Sequence, residues 1–391
     1  MSKPAALDPL GILVALTLLL HPATHAAEKI GPRVVETGPS ENLVLPPPNA
    51  TRSVANASTL IPWPNGKGPL APPGFQVNLF ADELDNPRTI LVLSNGDVLV
   101  MESLRQVTGS RAVLLRDSQG KGQANYRRGF LSGLKAAFGM AIFDNRLFIG
   151  NTDSIMVFAY RPGDTHISEH GKTILSLPVG GNYTRNVIID QNGRKLYVAV
   201  GSRSNVDEDR HDAKDSRRAA ILQTDLDGRN MRVFASGLRN PIGMDWEPTT
   251  HALWAVVNER DGLGDELVPD YLTSVRDGAF YGWPYSYFGQ NEDPRKKGER
   301  PNLVAKAIKP DYALGSHVAP IGMTFYGGKS FPARYNGGVF IGMHGSWNRS
   351  KPVGYKVAFV PFRNGKPSGM IEDFLTGFLA DERLNRVYGR P

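Results

Sequence analysis

Three segments concentrate side chains able to do chemistry. Ser236-Gly237-Leu238-Arg239-Asn240-Pro241 sets a guanidinium beside a primary amide. The guanidinium is a planar fork of N–H donors suited to carboxylates, and the amide adds one donor and one acceptor group. Arg239 therefore either faces an acidic ligand or forms an ion pair between neighbouring elements. Asn258-Glu259-Arg260-Asp261-Gly262-Leu263-Gly264-Asp265-Glu266-Leu267 places four carboxylates among glycines. Side-chain and main-chain oxygens at that density suit a hard cation such as calcium, although the spacing is not that of an EF-hand; the other reading is a solvated polar turn. Gly180-Gly181-Asn182-Tyr183-Thr184-Arg185-Asn186 combines amide, phenol and guanidinium, a set that could line a pocket. Two histidines, His317 and the His344 of His344-Gly345-Ser346-Trp347-Asn348-Arg349, are each a candidate base or ligand, or a satisfied structural residue.

Composition narrows the chemistry. The chain of 391 residues has no cysteine, so disulfides, thiolate metal sites and cysteine nucleophiles are excluded. The net charge of +7 comes without a dense Lys/Arg stripe interleaved with aromatics, so a nucleic-acid partner is not expected. There is no P-loop, no dinucleotide fingerprint in a strand–helix context and no His-Glu-x-x-His zinc motif. With 42 Gly and 29 Pro, the chain reads as many turns rather than long helices.

The elements that must position these groups are short strands. From residue 75 onward, turn signals lead into apolar runs at Asn95-Gly96-Asp97, Asp144-Asn145, Asn192-Gly193, Thr250-His251 and Asn336-Gly337-Gly338. A second short run precedes each: Ile90 to Leu93, Gly139 to Phe143, Asn186 to Asp190, Ile242 to Trp246 and Ile321 to Tyr326. Strand pairs recurring at about 40–50 residues are the pattern of a β-propeller. Five repeats are visible, and Arg386 to Pro391 reads as the lead-in to a sixth. The expected fold class is all-β, a propeller of four-stranded antiparallel blades at 75–391, either a ring of five or a ring of six with its last blade incomplete at the C-terminus. Residues 27–74, rich in proline, read as an N-terminal arm or linker. Residues 1–26 read as a signal peptide with an apolar stretch from Leu10 to Leu20 and a small-x-small end at Thr24-His25-Ala26. That stretch is too short to span a bilayer, so the expected location is periplasmic or secreted, with no stable membrane insertion after cleavage.

Seen together, several phrases resemble the soluble quinoprotein glucose/sorbosone dehydrogenases, most closely the sorbosone dehydrogenase branch. They are Pro73-Gly74-Phe75, Asn86-Pro87-Arg88, Thr184-Arg185-Asn186, Gly237-Leu238-Arg239-Asn240-Pro241, Asn258-Glu259-Arg260-Asp261, Tyr281-Gly282-Trp283-Pro284 and His344-Gly345-Ser346-Trp347-Asn348-Arg349. The resemblance implies a six-bladed propeller that binds pyrroloquinoline quinone (PQQ) and calcium and oxidises a sugar or sugar-derived aldehyde, with electrons passing to a downstream acceptor. It implies Arg239 and Asn240 at the cofactor and the reacting oxygen, main-chain oxygens near Arg260 and Asp261 at the calcium, and Tyr183, Arg185, Tyr312, His344 and Arg349 around the cofactor. The family's basic histidine falls on Asn182, which cannot take a proton at neutral pH. A degenerate binding propeller and a calcium-dependent lactonase-type hydrolase are the alternative readings.

Overall fold

The computed structural model describes residues 34–104, 109–207 and 214–391. The proposed signal peptide lies outside the described residues. Within them, no helix is long and apolar enough to cross a membrane.

Nearly all regular structure is antiparallel β. Sheet 1 runs Pro87–Val92, Val98–Glu102, Ser110–Arg116, Tyr126–Leu134, and sheet 2 runs Met140–Phe143, Arg146–Gly150, Ser154–Ala159, Lys172–Ser176. Sheet 3 runs Val187–Ile189, Lys195–Val200, Ala220–Asp225, Arg232–Ser236. Sheet 4 runs Asn240–Trp246, Leu253–Asn258, Pro269–Ser274, Tyr312–Ser316. Sheet 5 runs Pro320–Phe325, Val339–Met343, Lys356–Val360, Glu372–Leu375. The strand pairs expected from the turn signals are the first two strands of these five sheets, with ends moved by up to three residues.

Alternation along each strand packs the sheets side by side. In sheet 3, Leu196, Val198 and Val200 face sheet 2 with Phe148 and Ile155, while Tyr197 and Ala199 face sheet 4 with Leu253, Ala255 and Val257. Sheet 4 repeats the device: Trp254 and Val256 turn to Ile341, Met343 and Ala358 of sheet 5. A period of two therefore feeds two different cores from one strand. The first strands of all five sheets line one cavity of about 730 Å³, as blades do around the channel of a propeller.

The seam between sheets 5 and 1 is built differently. The chain after sheet 5 forms only Leu379–Asp381 and Arg386–Val387, and the latter pairs in parallel with Thr59–Leu60 of the arm. Ile90 and Val92 of sheet 1 remain about two-thirds exposed there. The far face of sheet 5 is covered by an aromatic cluster in which Phe75 meets Phe331, Tyr335 and Phe374 edge-on. The arm does not behave as a linker. Thr37–Pro39 adds a fifth strand to sheet 4, and residues 49–56 lie along the loops at 262–266 and 347–350. There Gly264 N–H donates to Ser53 Oγ at 2.9 Å and Asn348 Nδ2 to the Val54 carbonyl at 2.6 Å.

Candidate active site

Strand direction decides which loops meet. In a four-stranded antiparallel sheet, the connection entering the first strand and the one between the second and third lie at the same end. Asn86, Asn182, Arg239 and His317 precede first strands, and Glu259 and His344 follow second strands, so all are brought to one mouth of the channel. Two adjoining pockets form there. One, about 530 Å³, is lined by Asn86, Arg88, Asn182, Tyr183, His344 and Arg390 among others. The second, about 230 Å³, is lined by Arg239, Glu259, Asp261, Asp270, His317 and Trp347 among others. Asn182 and Asn240 belong to both.

The larger pocket is cationic. Arg88 and Arg390 have no carboxylate partner among the described residues. Arg390 is held by its Nε and Nη2 on the carbonyls of His344 and Gly345, both at 3.0 Å. Arg88 leaves a buried Nε without a partner and lies over the Phe138 ring at 5.7 Å. Asn182 is pinned by its Nδ2 on the Ser202 carbonyl and hydroxyl, each at 3.1 Å. His344 is half-buried, and its buried Nδ1 has no partner. Burial, then the charges of Arg390 and Arg88, push its pKa down to about 3, so the ring is neutral.

The smaller pocket is anionic. Glu259 and Asp270 are buried, and burial pushes both pKa values up to about 7. Asp270 accepts the Glu259 and Ala319 N–H groups, each at 2.7 Å, and so ties the two loops together. Glu259 Oε1 and Asn240 Oδ1 are buried without partners. His317 contacts Asp261 Oδ1 at 3.3 Å and the Gly264 carbonyl at 2.9 Å. Burial opposes charge on that ring, but these two acceptors outweigh it and hold His317 above the ordinary imidazole range. Arg239 donates to the Glu259 carbonyl at 2.7 Å, with Asp261 3.9 Å away. Gly201 is what lets the two amides converge. A Cβ there would stand 2.2 Å from Asn240 Oδ1 and 2.7 Å from Asn182 Cβ.

Of the residues expected at the site, Arg239, Asn240, Asn182, Tyr183, His344 and Asp261 line these pockets. Three cofactor-side expectations and one at the metal are corrected. The Arg185 guanidinium is fully buried and caged by the carbonyls of Asn182, Thr184 and Pro178 at 2.7–2.8 Å, so it braces the loop from behind. Tyr312 sits in the core between sheets 4 and 5, its hydroxyl on the Gly369 carbonyl at 3.0 Å. Arg349 pairs with Glu36 of the arm at 2.9 Å and reaches neither pocket. The Arg260 guanidinium is likewise turned inward, onto Asp293 at 2.9 Å. The Asp261 carbonyl, expected to face a cation, already accepts Arg260 Nε, Arg260 Nη2 and Asn205 Nδ2 at 2.8–3.0 Å. What Asp261 offers the pocket is its carboxylate.

Arg88, Arg390 and Asp270 were not singled out from the sequence, and Glu259 entered only as one of the four carboxylates of its segment. A signal existed for Arg88. Asn86-Pro87-Arg88 enters the first strand of sheet 1 just as Arg239-Asn240-Pro241 enters that of sheet 4.

In sequence and fold the chain resembles the soluble PQQ-dependent sugar dehydrogenases. The TrAA12-like family model matches residues 69–271 and 288–376, and the chain belongs to that family. A Borreliella burgdorferi protein described as uncharacterized is 28% identical over 337 residues, 82% of this chain and 83% of that one. The pyrroloquinoline quinone-dependent pyranose dehydrogenase of Coprinopsis cinerea is 25% identical over 342 residues. That match takes in 74% of this chain but only 44% of the fungal protein, so the chain spans less than half of that relative's length. The holo form of the Coprinopsis cinerea pyranose dehydrogenase PQQ domain superposes with a TM-score of 0.69 at 21% identity, covering 82% of this chain and 88% of that domain.

Proposed function

We propose that the protein oxidises a sugar or a sugar-derived aldehyde of the aldose or sorbosone type, using PQQ and calcium, outside the cytoplasm. In this reading the ring counts six positions, the short sheet of Thr59–Leu60, Arg386–Val387 and Leu379–Asp381 holding the sixth. One observation carries the proposal: two guanidiniums without carboxylate partners share a pocket with two fixed amides, next to a second pocket rich in oxygen donors.

The donor sets fit both groups. PQQ is a tricarboxylate, and Arg88 and Arg390 are the cations left to receive it, with Asn86, Asn182 and Tyr183 as polar neighbours. Calcium takes hard oxygens. The Asp261 carboxylate and the partnerless Glu259 Oε1 and Asn240 Oδ1 supply them. Among the described residues no group of three or more His, Cys, Asp or Glu side chains could hold a metal unaided. Amide, main-chain or cofactor oxygens are therefore part of any such site. Bound there, PQQ supplies a two-electron acceptor and calcium polarises it. The chain's own part is orientation. Ser202 fixes Asn182, Gly201 admits Asn240, and Arg239, spread over main-chain carbonyls, holds the 258–261 turn in place.

The test is a PQQ titration of the purified protein with calcium, followed by absorbance, then a panel of aldoses and sorbosone with an artificial electron acceptor. Saturable binding and turnover of at least one sugar are expected; absence of PQQ binding would sink the reading. Asn182, at the position where the family carries its base, favours a second reading as a binding propeller, for which PQQ binds without turnover.

A further inference from the structure

Asn182 cannot take a proton at neutral pH, so the proposed oxidation needs a proton acceptor from elsewhere in the mouth. The larger pocket contains one imidazole and no carboxylate. His344 follows the second strand of sheet 5, is half-buried, and keeps its Nδ1 without a partner. The charged groups facing it are Arg390, whose guanidinium sits on the His344 carbonyl, and Arg88; Tyr183 is the other titratable group lining this pocket, and Tyr355 lies under Arg390 at 5.8 Å. Two neighbouring cations without counter-ions disfavour a third charge on the ring.

We propose that His344 is the proton acceptor of this site and that it gains basicity when an anionic ligand pairs with Arg88 and Arg390. The inference rests on the proposed function. In the step itself, the substrate O–H bond breaks and its proton moves to His344 Nδ1. The adjacent C–H bond breaks with its hydrogen and electron pair passing to the quinone, so the substrate is oxidised by two electrons and the quinone reduced by two. Ligand binding and proton affinity are thereby linked. The empty mouth keeps the imidazole neutral, and the loaded mouth, its guanidiniums satisfied, lets the imidazole accept a proton. An acceptor active only in the loaded state needs no neighbouring carboxylate to raise it, which agrees with the lack of one in this pocket.

The first arm of the test follows the His344 ring by NMR in the full chain, assigned with His344→Gln, over pH 3–8 without and with citrate, a simple tricarboxylate. The titration midpoint is expected to rise by about one pH unit or more; an unchanged midpoint overturns the coupling. The second arm uses protein loaded with PQQ and calcium. His344→Gln is expected to lower kcat about 10²–10⁴-fold, the usual range for a lost proton acceptor, with PQQ affinity held within about threefold. Adding Asn182→His to that variant is expected to recover at least tenfold, which a folding defect would not allow. Undiminished turnover in His344→Gln overturns the acceptor role. A wild type that binds PQQ yet oxidises no sugar overturns the proposed function and this role with it, whereas a failed citrate shift alone removes only the coupling.

Discussion

The two pockets at the channel mouth share Asn182 and Asn240 yet are electrostatic opposites. One presents Arg88 and Arg390 without counter-ions, the other Glu259, Asp261 and Asp270 around a single arginine that is spent on main-chain carbonyls. Elsewhere in the ring, charges are matched locally: Arg116 with Asp97, Lys195 with Asp225, Arg232 with Asp277. Leaving cations and buried carboxylates unmatched a few side chains apart is costly. A bound group that is anionic at one end and chelated by a cation at the other satisfies both ends at once. Under the proposed function, the contrast suits a complex of ligand and metal rather than either alone.

The comparison is broken most directly on its cationic side. Arg390→Ala is expected to weaken PQQ binding about 10–100-fold, as for loss of a charge-assisted hydrogen bond of about 1.5–3 kcal/mol, measured by absorbance titration. An affinity within threefold of wild type would mean that the cationic pocket is not the acid-binding end. The next largest effect is steric. Gly201→Ala drives a methyl into both shared amides, and kcat/KM is expected to fall about tenfold or more, with a smaller change in thermal stability.

The anionic side is sharpened by pH. Glu259 and Asp270 have folded-state pKa values raised to about 7 from ordinary values of 4.5 and 3.8. Their folded forms hold protons that the unfolded chain has released. Their contribution is therefore greatest at low pH and is lost as pH rises from about 4 through about 7. In calcium-free buffer, the melting temperature of Glu259→Gln relative to wild type is expected to rise between pH 5 and 8, because the variant has no carboxylate to ionise. A constant difference across that range would show that Glu259 is not the strained group. Calcium should reverse the ranking by stabilising the wild type more.

The smallest effect belongs to Arg349→Ala. It removes the pair with Glu36, at a cost of about 1 kcal/mol or less, and is expected to leave PQQ affinity within about twofold. A larger loss of affinity would return Arg349 to the site.

That last variant also marks where sequence reasoning stops. The strand pairs were legible because alternation and turn chemistry are local, and Arg239, Asn240 and Asn182 were legible because the phrases holding them enter first strands. Arg185, Tyr312 and Arg349 were misplaced for a different reason. A guanidinium caged by carbonyls and one aimed at a ligand have the same letter, and only the path of the surrounding backbone separates them. Arg88 and Arg390 were passed over because what distinguishes them is a missing partner, and partners come from sheets far apart in the chain. The raised carboxylates are a matter of burial, which neighbouring letters do not encode.

The parallel pairing of Thr59–Leu60 with Arg386–Val387 has a kinetic consequence. The four-stranded sheets form from contacts close in sequence, but this pairing, like that of Thr37–Pro39 with sheet 4, joins segments far apart in the chain, and such large loops are closed last. Residues 49–56, which brace the 262–266 turn, precede that junction directly. A refolding molecule should therefore regain its β signal first and the order of the 262–266 turn later, in a separate and slower phase.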